Sequence, residues 1–435
     1  MSSKSRFCGS PAHALDRRAF LGTAAGAAAL SADMTLLNVL QEPALAAELK
    51  QRQKRVILLW LAGGASQLET WDPKPGRPTG GPYRAIPTSV PGVHICELLP
   101  KMAQRLDRTC IIRSLNTRIA DHGGGAKLMN LGRRDEPNLK YPDLGAVIAR
   151  ELGRADSQVP DYVSFYSQTE GRGGPPRTAG FLGARYNPMF LSEKSTPENL
   201  KRLESITELD HTERADLRDL LSKRFARGRE AGSAIGSHNM AYQRVRGLMA
   251  SERLFNIEEE PQKVREAYGP TLFGEQLLIA RRLVEAGTPF VSVARAWWDS
   301  HGENFETHLE LVTELDHVLT TLLDDLASRG LLQDTLVVTL SEFGRTPNIN
   351  QGLGRDHFAR AWSTSLSGCG TQGGACYGKT DADGQHVAEG EIGAAELFAT
   401  IFRAVGIDHQ KEYHVGARPI PLTDPGTKPV AEVLT

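Results

Sequence analysis

Four short apolar runs, each followed by acids and three of them also by histidines, constrain this chain more than any other feature. The plainest is Leu336-Val337-Val338-Thr339-Leu340, which ends on Ser341-Glu342-Phe343-Gly344-Arg345; after a loop rich in Asn and Gly come Arg355-Asp356-His357. Arg55 to Leu61 runs into Ala62-Gly63-Gly64-Ala65-Ser66, with Glu69 and Asp72 just beyond. Cys110 to Ser114 leads to Asp121-His122, and Phe290 to Ala294 leads to Trp297-Trp298-Asp299-Ser300-His301. Short β-branched runs of this kind read as buried strands of a parallel sheet. Further strand-like segments are Asp161 to Tyr166 and Trp362 to Leu366.

Helical stretches separate these runs. Asp143 to Leu152 opens on an Asp placed to cap it, and Phe273 to Ala286 is amphipathic. Phe305 to Ser328 carries Leu311, Leu315, Val318, Leu322 and Leu326 on one face. Glu97 to Leu106, Ala126 to Leu131 and Ala394 to Val405 also read as helices, and the Pro-rich tail from Arg418 as irregular. Strands alternating with helices predict an α/β fold with a mostly parallel, doubly wound sheet. From about 197 to 268 charge dominates and no strand-like run occurs, which predicts a helical insertion.

The first 46 residues stand outside that pattern. Asp16-Arg17-Arg18-Ala19-Phe20-Leu21 is a twin-arginine pattern, a small weakly apolar run follows it, and Ala44-Leu45-Ala46 supplies a cleavage site. The expectation is a signal peptide over 1–46, a single domain over 47–435, and a mature chain that is periplasmic or extracellular. No later stretch approaches eighteen consecutive apolar residues, so no membrane span is expected in the mature chain. With 51 Lys and Arg against 52 Asp and Glu, the chain has no basic excess to neutralise nucleic-acid phosphates. In an oxidising compartment, Cys369 and Cys376 are expected to close a glycine-rich loop beside the site.

In open α/β sheets, ligands gather outside the carboxyl ends of the strands. Ser66, Glu69 and Asp72, then Asp121 and His122, then Asp299 and His301, then Glu342 with Asp356 and His357 all arise at such ends. Carboxylate oxygen and imidazole nitrogen together suit a divalent metal, with imidazole favouring zinc or manganese over calcium. The expected ligands are Asp299, His301, Glu342 and His357, with His122 as the catalytic group. Ser66, Glu69, Asp72, Asp356 and Arg345 are additional candidates.

Gly63-Gly-Ala-Ser-Gln-Leu-Glu-Thr-Trp-Asp-Pro-Lys-Pro75, Trp298-Asp-Ser-His-Gly302, Ser341-Glu-Phe-Gly-Arg-Thr-Pro347, Gly354-Arg-Asp-His357 and Tyr377-Gly-Lys-Thr-Asp-Ala-Asp-Gly384 are distinctive. On these motifs the chain resembles the domain-of-unknown-function family fifteen hundred and one, itself distantly similar to the alkaline phosphatase and sulfatase superfamily. The resemblance implies an alkaline-phosphatase-like α/β/α sandwich. By that analogy Asp299, His301, Glu342 and His357 stand where metal ligands are kept, and His122 near the nucleophile's place. The chain departs from the superfamily in four ways, one being Glu342-Phe343 in place of an Asp-His pair. Ala62-Gly63-Gly64 replaces a metal-binding Asp, for which Glu69 or Asp72 would have to substitute. His122 replaces Ser, Thr or Cys, and no C-x-P-x-R or C-x-A-x-R segment exists for a formylglycine.

The functional expectation is a metal-dependent hydrolase acting on a small-molecule or glycan sulfate or phosphate ester, with zinc, manganese or calcium as cofactor. The alternatives are a non-catalytic binding protein and an envelope complex subunit, either on a degenerate hydrolase scaffold.

Overall fold

The computed structural model describes residues 53–435 apart from 155–156, 158, 166–176, 192–194, 198–204, 227–246 and 248–251. The expected signal peptide lies outside these residues, as do Tyr166 and parts of the expected insertion. Eight strands build the main sheet: β1 Arg55–Leu61, β2 Thr109–Leu115, β3 Tyr162–Phe165, β4 Met189–Leu191, β5 Phe290–Arg295, β6 Thr335–Leu340, β7 Trp362–Gly368 and β8 Cys376–Tyr377. Their spatial order is β8-β2-β7-β6-β1-β5-β3-β4. Every pairing is parallel except the two made by β7, which runs against both β2 and β6.

Both faces of this sheet are buried, as the continuous apolar runs predict. Successive β1 residues point to opposite sides. Ile57, Leu59 and Leu61 join one core with helices α3 Leu272–Ala286 and α4 Asn304–Ser328. Val56, Leu58 and Trp60 join the other, with α1 His122–Leu131, α2 Leu144–Leu152 and α5 Ala394–Ala404. The architecture is therefore an α/β/α sandwich. In α4 the leucine stripe faces inward, and Leu311, Leu315, Val318, Leu322 and Leu326 are all buried. The Asp143 carboxylate caps α2 by accepting from Ala146 N at 2.8 Å. Within the insertion the described helices are Glu208–Ala226, Glu252–Phe255 and Gln262–Tyr268.

Three expectations are corrected. The helix predicted over Glu97 to Leu106 is one short turn, Pro100–Ala103, followed by a 3-10 turn at Leu106–Arg108. Pro100 can only begin a helix, and the free N–H groups of Lys101 and Met102 donate to Asp316 at 3.0 and 2.8 Å. The tail is not wholly irregular, since Arg418–Pro421 pairs with Glu412–Val415 as a hairpin. The four described cysteines are free thiols. Cys369 Sγ donates to Ala404 O at 3.4 Å, while Cys376 is drawn into β8 opposite Ile111. That loop also lies away from the site. Because β7 runs in reverse, its end pairs with the start of β6, where Gly368 stands opposite Leu336.

Candidate metal centre

The carboxyl ends of β1, β2, β5 and β6 lie along one edge of the sheet, and the candidate residues follow from them. After β2 the chain enters α1, whose first residue is His122; Asp121 caps this helix by accepting from Gly124 N at 2.7 Å. After β5 it turns through Trp297, with φ of 76°, to reach Asp299 and His301. After β6 it turns at Glu342, and Gly344–Arg345 then pairs antiparallel with His357–Phe358. That small ladder sets His357 opposite Arg345 and returns the chain into β7.

Asp299 is the hub. Its Oδ2 lies 3.1 Å from His122 Nε2. Its Oδ1 lies 3.1 Å from His357 Nε2 and 3.2 Å from His301 Nε2, and also receives the Arg345 guanidinium. The two imidazoles meet with their Nε2 atoms 3.0 Å apart. His301 Nε2, His357 Nε2 and Asp299 Oδ1 thus form a triangle with edges of 3.0, 3.1 and 3.2 Å. A tetrahedral zinc with Zn–N near 2.0 Å places its ligand atoms about 3.3 Å apart, close to those edges. His122, Asp299 and His357 also form a potential cation-holding group, with donor atoms within 4.8 Å of one another.

Each imidazole is held at its other nitrogen. His122 Nδ1 lies 3.0 Å from Glu342 Oε1, His301 Nδ1 2.7 Å from Asp356 Oδ1, and His357 Nδ1 2.9 Å from Ala120 O. For His301 and His357 such acceptors favour a proton on Nδ1, the arrangement found around metal-binding histidines, whereas His122 faces a carboxylate at each nitrogen and holds a proton on both. The donor set therefore fits a divalent cation. Glu342 reaches the cluster through His122, and its Oε1 also accepts from Gly63 N at 2.8 Å.

The electrostatics match this packing. Burial raises the Asp299 carboxyl, but hydrogen bonds from His122 and His357 and the Arg345 charge hold it well below the usual range. His122 is pushed up to about 9, first by Asp299 and then by Glu342. The hydrogen bond from His301 lowers Asp356. The Phe343 ring packs against His357 at 4.5 Å and His122 at 5.1 Å between centroids.

Ser66, Glu69 and Asp72 are bound elsewhere. Glu69 pairs with the fully buried Arg355 at 2.7 Å. Asp72 takes Lys74 at 3.0 Å, Arg113 at 3.8 Å and the Thr380 hydroxyl. Ser66 is buried, and its N–H donates to His308 Nε2 at 3.0 Å. Neither carboxylate stands where Ala62-Gly63-Gly64 lacks an acid. Gly63 has φ of 119°, and a Cβ there would lie 2.5 Å from Asp299 N. Gly64, at φ 97°, lies just as close to the Phe343 ring, 2.7 Å from an added Cβ. Sequence reasoning missed the positioning roles of Gly63 and Phe343. The signals were a Gly-Gly pair at a strand end and an aromatic residue inside a polar cluster.

A family model described as "Protein of unknown function (DUF1501)" matches residues 53–434. A search of curated proteins finds no match. Among solved structures, the PsFucS1 sulfatase from Pseudoalteromonas sp. is similar at 11% identity over 85% of this chain and 71% of that one, with a TM-score of 0.42. The lipoteichoic acid synthase LtaP from Listeria monocytogenes gives 10% identity, 88% and 77% coverage, and a TM-score of 0.38. A TAB5 alkaline phosphatase mutant gives 11% identity, 82% and 99% coverage, and a TM-score of 0.35. Likeness this distant carries neither reaction nor substrate across.

Proposed function

The chain belongs to the DUF1501 family of proteins of unknown function, and on that premise we propose that it is a metal-dependent hydrolase of sulfate or phosphate esters. The observation that carries this reading is the convergence of three imidazoles, each anchored at Nδ1, on the Asp299 carboxylate. His301, His357 and Asp299 would hold the cation, zinc or manganese by donor type, with His122 next to them. When bound, such an ion supplies Lewis acidity toward an anionic ester oxygen.

The chain's own groups do the rest. Arg345 fixes Asp299 through its guanidinium while its Nε donates to Gly64 O at 2.8 Å, so the carboxylate cannot swing away. Glu342 and Asp299 face the two nitrogens of His122 and keep its imidazole protonated, so that Nε2 serves as the acid. Water attacks the sulfur or phosphorus centre, the ester oxygen leaves with its electron pair and takes the His122 Nε2 proton, and the proton released by the bound water restores His122. The exposed ring of Trp297, directly before this cluster, supports a glycan ester, because a sugar face stacks on such a surface.

The test is elemental analysis of purified protein alongside hydrolysis of 4-nitrophenyl sulfate and 4-nitrophenyl phosphate. Wild type should carry one equivalent of metal, and His301→Ala and His357→Ala should each lose it together with about a hundredfold or more of activity. Metal-free wild type, or full occupancy in both variants, rejects the site. A second reading, a non-catalytic binding protein, is favoured by one observation: Arg345 already brings positive charge to Asp299 Oδ1. Bound metal without turnover of any sulfate or phosphate ester selects that reading.

A further inference from the structure

Beside His357 the surface opens into a cleft of about 630 Å³, lined by Asn116, Arg118, Ala120, His357, Phe358 and Arg360 among others. Its two walls are joined by the backbone bond from Thr117 N to Ala359 O at 2.8 Å and by the His357 bond to Ala120 O. Arg118 stands in left-handed backbone, with φ of 60°, where a non-glycine residue is uncommon. Its partner is Glu391 at 3.6 Å, and both side chains are largely exposed, so the pair neutralises little. Arg360 is exposed and makes no ion pair among the described residues. Asn116 Oδ1 is buried without a hydrogen-bond donor.

The cleft thus offers two guanidinium groups and one waiting acceptor at the rim of the Asp299 cluster. We propose that it is a second anion subsite. The substrate carries, besides the ester at the cluster, another anionic group that Arg118 and Arg360 bind, and a hydroxyl between the two donates to Asn116. Guanidinium recognises carboxylate, sulfate and phosphate alike through paired N–H donors. The shared chemistry is therefore a polyanionic, hydroxyl-bearing ester. This inference rests on reading the cluster as an ester-hydrolysing centre.

Binding separates the two claims. Calorimetric titration would compare α,ω-alkyl diphosphonates of two to six methylenes with the matching alkyl monophosphonates, on wild type, Arg118→Ala, Arg360→Ala and the double variant. At the best spacer, wild type should prefer the diphosphonate by about tenfold or more, the scale of one charge-assisted contact. The double variant should lose that preference and keep its monophosphonate affinity, with the preference falling as salt rises. Monophosphonate binding without preference at any spacer, or a preference that survives in the double variant, overturns the subsite alone. Wild type binding neither series overturns the subsite and the hydrolytic centre together. Far-UV circular dichroism and urea midpoints equal to wild type show that each variant is folded. The free carboxylate analogues of the diphosphonates tell whether the second group must be a phosphate-like anion.

Discussion

At the scale of single residues, similar side chains take different work from their neighbours. Glu342 and Glu69 both follow strand ends, yet the first holds His122 and the second neutralises a buried arginine. Glu69→Ala leaves the Arg355 charge buried and unpaired, which should cost about 3–5 kcal/mol in urea unfolding. Metal content at the cluster should not change, and its loss would instead place Glu69 in the centre. His308 shows the same division among histidines. It is fully buried in α4, accepts from Ser66 N, and donates from Nδ1 to Asn304 O at 2.9 Å. Burial lowers its pKa to about 4, so the unfolded chain takes the proton first as pH falls. The resulting stabilisation is complete above the ordinary histidine value. It should be lost between about pH 6.5 and 4, and is worth about 3 kcal/mol in full. His308→Gln should flatten that part of the stability profile relative to wild type, as read from urea midpoints across the range.

At the scale of elements, caps and reversals place the site. The Asp143 carboxylate caps α2 and also accepts from the Tyr162 hydroxyl at 3.1 Å and Thr178 N at 3.0 Å. One side chain thereby ties a helix, a strand and a loop. Asp143→Ala should destabilise by about 2–3 kcal/mol, more than an exposed cap does, because the Tyr162 hydroxyl loses its buried partner. A change below about 1 kcal/mol in chemical denaturation would show that the cap alone matters. The reversal of β7 matters in another way. Because β7 starts at the carboxyl edge between β2 and β6, the chain from Ser341 to Ala361 stays at that edge, which keeps His357 beside ligands that lie far away in sequence.

At the scale of the whole molecule, we propose that the chain is exported by way of an N-terminal leader. The Arg17-Arg18 pattern supports that proposal, since twin-arginine leaders direct export. Replacing both arginines with lysine should keep the precursor in the cytoplasm in a fractionation experiment. Unchanged export would remove the assignment.

Much of the fold was legible because burial on both sheet faces needs unbroken apolar runs, and amphipathic helices need a 3.6-residue period; β1, β5, β6, α4 and α5 all follow from that arithmetic. The strand ends also marked His122, Asp299, His301, Glu342 and His357 as neighbours, since a parallel sheet gathers its carboxyl ends along one edge. What sequence could not assign was which acid meets which base. Glu69, Asp72 and Glu342 carry the same functional group, and only packing decides that the first takes Arg355, the second Lys74 and the third His122. The antiparallel course of β7 and the free thiols of Cys369 and Cys376 were equally beyond local pattern. Strand direction and thiol separation depend on how the chain turns in space, and no short stretch of residues encodes that alone.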